Sequence, residues 1–197
     1  ILATARVLYP NIDIIKELPS FRYIRYMRTV LTRTTKTLAA YQLGNQPKWK
    51  AMHTDETTRQ GKPVVNNVID ILTEDNELKS ICLSCSIIAR DGTAEEQSRA
   101  VISSFRESGK LLEQWRETTL MMYPDKVHLY DQIPIADSMC PSKLNGGTVC
   151  SDTCTTARKH RRKLIDDMTA ICISKGFTED MVKFFQGDCN HHMRNII

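Results

Sequence analysis

Three β-prone runs in succession, joined by turns too short for anything but antiparallel neighbours, constrain this chain more than any other feature. Trp49-Lys-Ala-Met-His-Thr-Asp55, Val64 to Leu72 and Leu78 to Ala89 read as strands, with Gly61-Lys-Pro63 and Glu74-Asp-Asn-Glu77 as the turns between them. Ile81, Leu83, Cys85 and Ile87 alternate inward along the third, and Asp91-Gly92 closes it. Thr93 then caps a helix, with Glu96 three residues on at capping-box spacing, and Val101, Ile102, Phe105, Leu111, Leu112 and Trp115 continue its apolar side. An irregular stretch from Tyr123 to Lys143, carrying Pro124, Pro134 and Pro141, leads to a short strand around Thr148-Val-Cys150. A helix over about Thr155 to Lys175 and a strand at Val182-Lys-Phe-Phe185 follow. The order β-β-β-α, connection, β-α-β specifies an α/β fold with a mixed sheet: three antiparallel strands, then parallel ones, flanked by helices.

That order gives two acids a common address. A helix running from the third strand to the fourth can lay the fourth parallel to the first and beside it. The first strand ends on Asp55 and the fourth on Asp152, in Gly146-Gly-Thr-Val-Cys-Ser-Asp152, so their carboxylates converge at one end of the sheet. Two carboxylates about 4 Å apart repel by roughly 4 kcal/mol at an effective dielectric near 20. Such a pair shares a proton or is bridged by a cation. Hard oxygen ligands that leave room for water suit Mg²⁺ or Mn²⁺, and a pair of those ions serves in-line phosphodiester cleavage. A solvated turn explains either Asp taken singly.

Composition sets the frame around those acids. With 197 residues, 41% hydrophobic and 25% charged, the chain fits one domain with a helical appendage. No run approaches the roughly 20 apolar residues of a membrane span, and no signal peptide opens the chain, so a membrane partner is not expected. It begins at Ile1 without Met and stops at Ile197 just after a motif, as a segment of a longer protein would. The net charge of +4 is unevenly distributed: residues 1–50 hold nine Lys/Arg against Asp13 and Glu17, a balance of +7, leaving −3 for the rest. Asn11 to Leu18 reads as a short helix ended by Pro19. Ser20 caps a long one with Phe21, Ile24, Met27, Leu31, Leu38 and Tyr41 on one side, and Gly44-Asn45 stops it. Arg22, Arg25 and Arg28 recur at helical spacing on another face, and Arg158, Lys159, Arg161 and Arg162 wind around the later helix. Both groups are candidate phosphate contacts, with a solvated face as the plainer explanation. The domain division expected is 1–46, a basic helical extension, and 47–197, the sheet-bearing core.

Seven cysteines in apolar or strand-like contexts argue for a reducing compartment rather than a disulfide scaffold. Cys82 and Cys85 stand three apart in a strand, so they are expected on opposite faces and not on one metal. Cys189 and His192 have zinc-like spacing without a second pair, which favours packing over zinc. His191 is expected at the surface. A zinc module would instead require Cys150, Cys154, Cys189 and His192 to converge, and zinc is not the expected cofactor.

Met52-His-Thr-Asp55-Glu-Thr-Thr-Arg-Gln-Gly61, two further strands and a helix, Val149-Cys-Ser-Asp152-Thr-Cys-Thr-Thr-Ala157 and then Cys189-Asn-His-His192 together resemble an RNase H-like DDE/D transposase core. The branch is the cut-and-paste one of hAT, P-element and Mutator-like enzymes, and the resemblance covers about residues 48–195. It implies an RNase H-like sheet, with Asp55 and Asp152 as the first two metal-binding acids and Cys189 and His192 as the family's Cys-x-x-His motif. The third acid would lie beyond the chain, and Cys189 to His192 would sit short of it. It further implies DNA as partner, DNA strand cleavage and transfer as activity, Mg²⁺ or Mn²⁺ as cofactor and the nucleus as location, with a second copy of the chain a candidate partner. The N-terminal helix resembles the linker helices that precede such cores.

Two other classes compete. In a stand-alone RNase H-type nuclease, an acid near the start of the helix after the third strand joins the site, and Glu95 and Glu96 stand there; Glu96 also serves the capping box. In a scaffold that has lost catalysis, the same fold binds nucleic acid or protein, and retention of both Asp residues speaks against it.

Overall fold

In the computed structural model, which describes residues 20–59, 62–88, 92–152 and 154–188, the first helix is α1, Phe21–Asn45. Its N-terminus is capped as its sequence requires, Tyr23 donating its amide to Ser20 Oγ at 3.2 Å. The chain divides into two compact units, residues 1–35 and 36–197. In the first, Phe21, Ile24 and Leu31 are exposed, so the apolar stripe read from the sequence is not a buried one there. In the second, the last turns of α1 bury Ala39, Ala40, Leu43 and Gly44, and Tyr41 meets Trp115 with ring centroids 5.3 Å apart.

The predicted strands form a five-stranded sheet in the order β3-β2-β1-β4-β5. β1 is Ala51–Arg59, β2 Lys62–Leu72 and β3 Leu78–Ile87, paired antiparallel as a meander. β4, Thr148–Ser151, lies parallel to β1, and β5, Phe185–Asp188, parallel to β4. Several strand boundaries differ from expectation, and β2 begins at Lys62, within the turn expected at Gly61-Lys-Pro63. β1 does not stop at Asp55, because β2 goes on pairing with it to Arg59↔Lys62. β5 starts at Phe185 instead of ending there, since Phe185 to Asp188 pair with Thr148 to Ser151. Gly187 is needed in that register: a Cβ on it would come within 2.6 Å of Thr148 Cγ2 and 2.8 Å of Cys150 Sγ.

Between β3 and β4 runs α2, Ala94–Met122, opened by Thr93 Oγ1, which accepts the Glu96 amide at 3.2 Å. The irregular stretch holds a short helix, α3 (Val127–Asp131), and two 3-10 turns, Ala136–Met139 and Pro141–Leu144. After β4 comes α4, Thr155–Ser174. One face of the sheet, carrying Met52, Val65, Ile69, Ile81 and Val149, is buried in a continuous core with Val101, Phe105 and Leu112 of α2 and Leu164 and Met168 of α4. Trp49 anchors its edge. It is fully buried, stacks on Phe105 at 5.6 Å with the rings 10° apart, and donates its indole N–H to the Leu43 carbonyl. α2 and α4 are tied by Ser98 Oγ, which donates to Asp167 Oδ2 at 2.6 Å.

Candidate functional site

The geometry of the two acids follows from the register. β1 and β4 pair as Ala51↔Thr148, Met52↔Val149 and His53↔Cys150. The ladder ends there, and two residues further along each segment come Asp55 and Asp152. Thr54 Oγ1 donates to the Cys150 carbonyl at 3.4 Å across the same seam. Asp55 lies where β1 leaves β4 but is still held by β2 opposite Asn66, whereas Asp152 is the first residue past β4. Both are half-buried, and both line a cleft of about 240 Å³ at the strand end. Ser151 bridges the turn below Asp152, its hydroxyl reaching the carbonyls of Asp152 and Ala157 at 3.3 Å each.

The other walls of the cleft were not foreseen. Glu56, Gln97 and His160 line it. Gln97, 2% exposed, donates Nε2 to Glu56 Oε2 and to the Gly92 carbonyl, so this face of α2 presents an amide to the cleft. Glu95 is exposed and Glu96 has a buried Oε2 with no hydrogen-bond partner among the described residues; neither lines the cleft. His160, from the second turn of α4, is 4% exposed, its Nε2 has no partner among the described residues, and burial pushes its pKa down to about 4. It is therefore neutral above acidic pH. A helical spacing placing residue 160 on the sheet side of α4 was the available signal, beside Leu164 and Met168 one and two turns on.

Two residues before Asp55, His53 Nε2 lies 2.7 Å from Asp70 Oδ2, and Ser80 Oγ donates to Asp70 Oδ1 at 2.6 Å. Asp70 is 7% exposed, and its carboxylate stitches β1, β2 and β3 together on the face that Asp55 also occupies. An acid inside the β-prone run Val64–Leu72 was the legible sign of it.

Cys82 and Cys85 overturn the expectation of opposite faces. The register shifts between Asn67 and Val68, which pair with Ser84 and Cys82, leaving Leu83 as an extra residue. The bulge resets the alternation, so Leu83 and Ser84 are both buried and Cys82 and Cys85 are both exposed. Cys85 and Ile87, expected inward, point out for the same reason. Burial first and the neighbouring Cys85 second push the Cys82 thiol up. Among the described residues no group of three or more His, Cys, Asp or Glu is gathered closely enough to hold a metal.

The basic residues separate into two kinds. Arg22, Arg25 and Arg28 are exposed, with Arg25 over the Phe21 ring at 5.5 Å. Arg158, Lys159 and Arg162 are exposed on α4, but Arg161 is 6% exposed and donates Nη1 to the Gly187 carbonyl, tying α4 to β5. Arg161 is thus a structural cation rather than a surface contact. Cys189, His191 and His192 lie outside the described residues. No helix of the described residues is long and apolar enough to cross a membrane. No family model matches the chain, and no curated protein matches its sequence.

Proposed function

We propose that the chain carries the first two acids of a divalent-metal phosphodiester site on an RNase H-like core, as in DDE-type transposases that cut and join DNA. The observation that carries this reading is that Asp55 of β1 and Asp152, just past the parallel neighbour β4, line one cleft. The strand order β3-β2-β1-β4-β5, with three antiparallel strands followed by parallel ones and a helix crossing from β3 to β4, supports it.

The donor chemistry fits the ion. Two half-buried carboxylates in one cleft are costly side by side without a proton or a cation, and carboxylate oxygens are the ligands Mg²⁺ and Mn²⁺ prefer. Asp55 and Asp152 would hold the metal. When bound, it supplies charge neutralisation at the scissile phosphate and eases ionisation of the attacking water or 3′-hydroxyl. The chain's own contributions are fixed by packing. The β1–β4 pairing sets the spacing of the acids, and Ser151 orders the turn under Asp152. Gln97 holds Glu56 on the cleft wall. The exposed Arg158, Lys159 and Arg162 of α4 and, in the N-terminal unit taken by itself, Arg22, Arg25 and Arg28 are suited to DNA phosphates, an attraction that salt would weaken. The location that goes with this reading is the nucleus.

Paramagnetic broadening or calorimetry with Mn²⁺ tests the reading on the full chain and on Asp55→Asn and Asp152→Asn. Loss of binding in each variant is the expected result. Binding that persists unchanged in both, or is missing from the unsubstituted chain, removes the metal site and leaves a nucleic-acid- or protein-binding scaffold.

A further inference from the structure

A second cavity, of about 420 Å³, opens between α2, the two 3-10 turns and the C-terminal end of α4, and shares no lining residue with the acidic cleft. Three separate segments supply its apolar floor: Ile102 and Phe105 of α2, Met139 of the first 3-10 turn and Ile171 of α4. That floor is preformed. Phe105 is held by its stacking on Trp49, and Met139, 3% exposed, belongs to the main core. The turn is pressed against α2 at Gly109, where a Cβ would come within 3.1 Å of the Ala136 carbonyl oxygen and 3.3 Å of the Ala136 Cβ. Where the turn ends, the Cys140 amide donates to the Asp137 carbonyl at 3.1 Å. A volume of this size, apolar below and polar at the rim, falls within the range of small-molecule sites, about 300–1,000 Å³.

The rim carries charge that is not balanced within the chain. Of the ionic side chains in the lining, Lys175 and Asp137 are taken up by each other. Arg106, Lys110 and Glu113 remain, all exposed on α2 and with no ion pair among the described residues. Two cations thus stand against one carboxylate. Arg106 and Lys110 are four residues apart on one helix face, so their head groups can meet at a single anion. Their aliphatic stems can cover the wall while the charged ends stay in water. A neutral apolar ligand would use the floor and leave both cations idle. A monoanion with an apolar body would use both. The attraction of exposed cations is weak in water, so the buried floor sets how tightly a ligand binds and the rim charge sets which ligand is preferred.

We propose that this cavity binds a small organic acid, its apolar body on Ile102, Phe105, Met139 and Ile171 and its carboxylate at Arg106 and Lys110. The site is independent of the acidic cleft and of the function proposed for it.

Titration of the full, folded chain with octanoate, read by calorimetry and by amide chemical shifts, tests the proposal, with octanol as the neutral probe of the same length. Octanoate is expected to bind saturably, one per chain, with a Kd below about 1 mM. The largest shifts should fall at residues 102–113 of α2 and in the turns at 136–141. Octanol should bind about fivefold more weakly or worse. The double variant Arg106→Gln with Lys110→Gln should weaken octanoate by about fivefold and leave octanol unchanged. Both side chains are exposed, so the variant keeps the fold. Octanoate that does not saturate overturns the proposal, and so do shifts that fall in the acidic cleft or on α1 instead. Equal affinity for octanoate and octanol also overturns it, as does a double variant that binds octanoate as tightly as the unsubstituted chain.

Discussion

The two faces of β1 are made from alternate residues of one short segment, yet they obey different rules. Met52 and Thr54 are buried toward α2 and α4, where the neighbours are Ile69, Val149 and Leu164 and the criterion is filled volume. His53 and Asp55 are half-buried on the other side, where the neighbours are Asp70, Ser80 and Asn66 and the criterion is matched charge and hydrogen bonding. The packed face supplies stability and holds the strands in register. The polar face and the strand end spend some of that stability on placing acids together. A strand with a strict period of two can do both at once, because each substitution reaches only one face.

Perturbing each side separately tests that contrast, beginning with the packed one. Trp49→Ala removes the fully buried ring that stacks on Phe105 and should cost about 3–5 kcal/mol in urea unfolding. A cost below about 1 kcal/mol would show that the core edge collapses around the gap and that Trp49 is no anchor. Next in size is the pH response of His160, which lines the cleft but is buried like a core residue. Its folded pKa, near 4, lies below the unfolded value of about 6.5, so the unfolded chain binds the extra proton between those limits. Stability is full above about pH 6.5 and falls as pH drops toward 4, by about 3 kcal/mol at most. His160→Gln should flatten that part of the urea midpoint-against-pH curve, and an unchanged slope would assign the effect elsewhere.

Gly187→Ala probes the seam between β4 and β5. The added methyl meets Thr148 and Cys150, and overpacking of this kind costs about 1–3 kcal/mol. A neutral outcome by thermal unfolding would mean that the edge strand shifts freely. The smallest effect is that of Asp55→Asn, which should change stability in metal-free buffer by less than about 0.5 kcal/mol. Under the proposed function, excess Mn²⁺ should stabilise the unsubstituted chain and not the variant, since it stabilises only the chain that binds it. A loss of stability in metal-free buffer would show Asp55 to be a structural residue of the polar face.

Much of the architecture is legible in local sequence. Ser20 and Thr93 cap the helices they precede, and the turn at 74–77 separates two strands of the meander. What escapes a local reading is whatever a distant partner decides. The extra Leu83 cannot be seen in an alternating run, because the bulge exists only against Asn67 and Val68 of β2. β5 moves by three residues since its register is set by Thr148 and Cys150, whose side chains leave room for no Cβ at Gly187. Of the candidate site, Asp55 and Asp152 could be named from strand order. Gln97 in place of Glu95 or Glu96 could not, because the rotation of α2 about its axis is fixed by its packing on the sheet.

By itself, then, the sequence determined the kinds of element, their order and their caps. These follow from short-range causes: the period of apolar residues, the conformations open to Gly and Pro, and side chains that satisfy orphan amides within three residues. The tertiary structure decided the sheet order around β1, the meeting of Asp55 and Asp152 in one cleft, and the burial of His160 and Arg161. Each of those pairs residues far apart in the chain, and their contact exists only once burial of the common core has met the entropy cost of closing the loops between them.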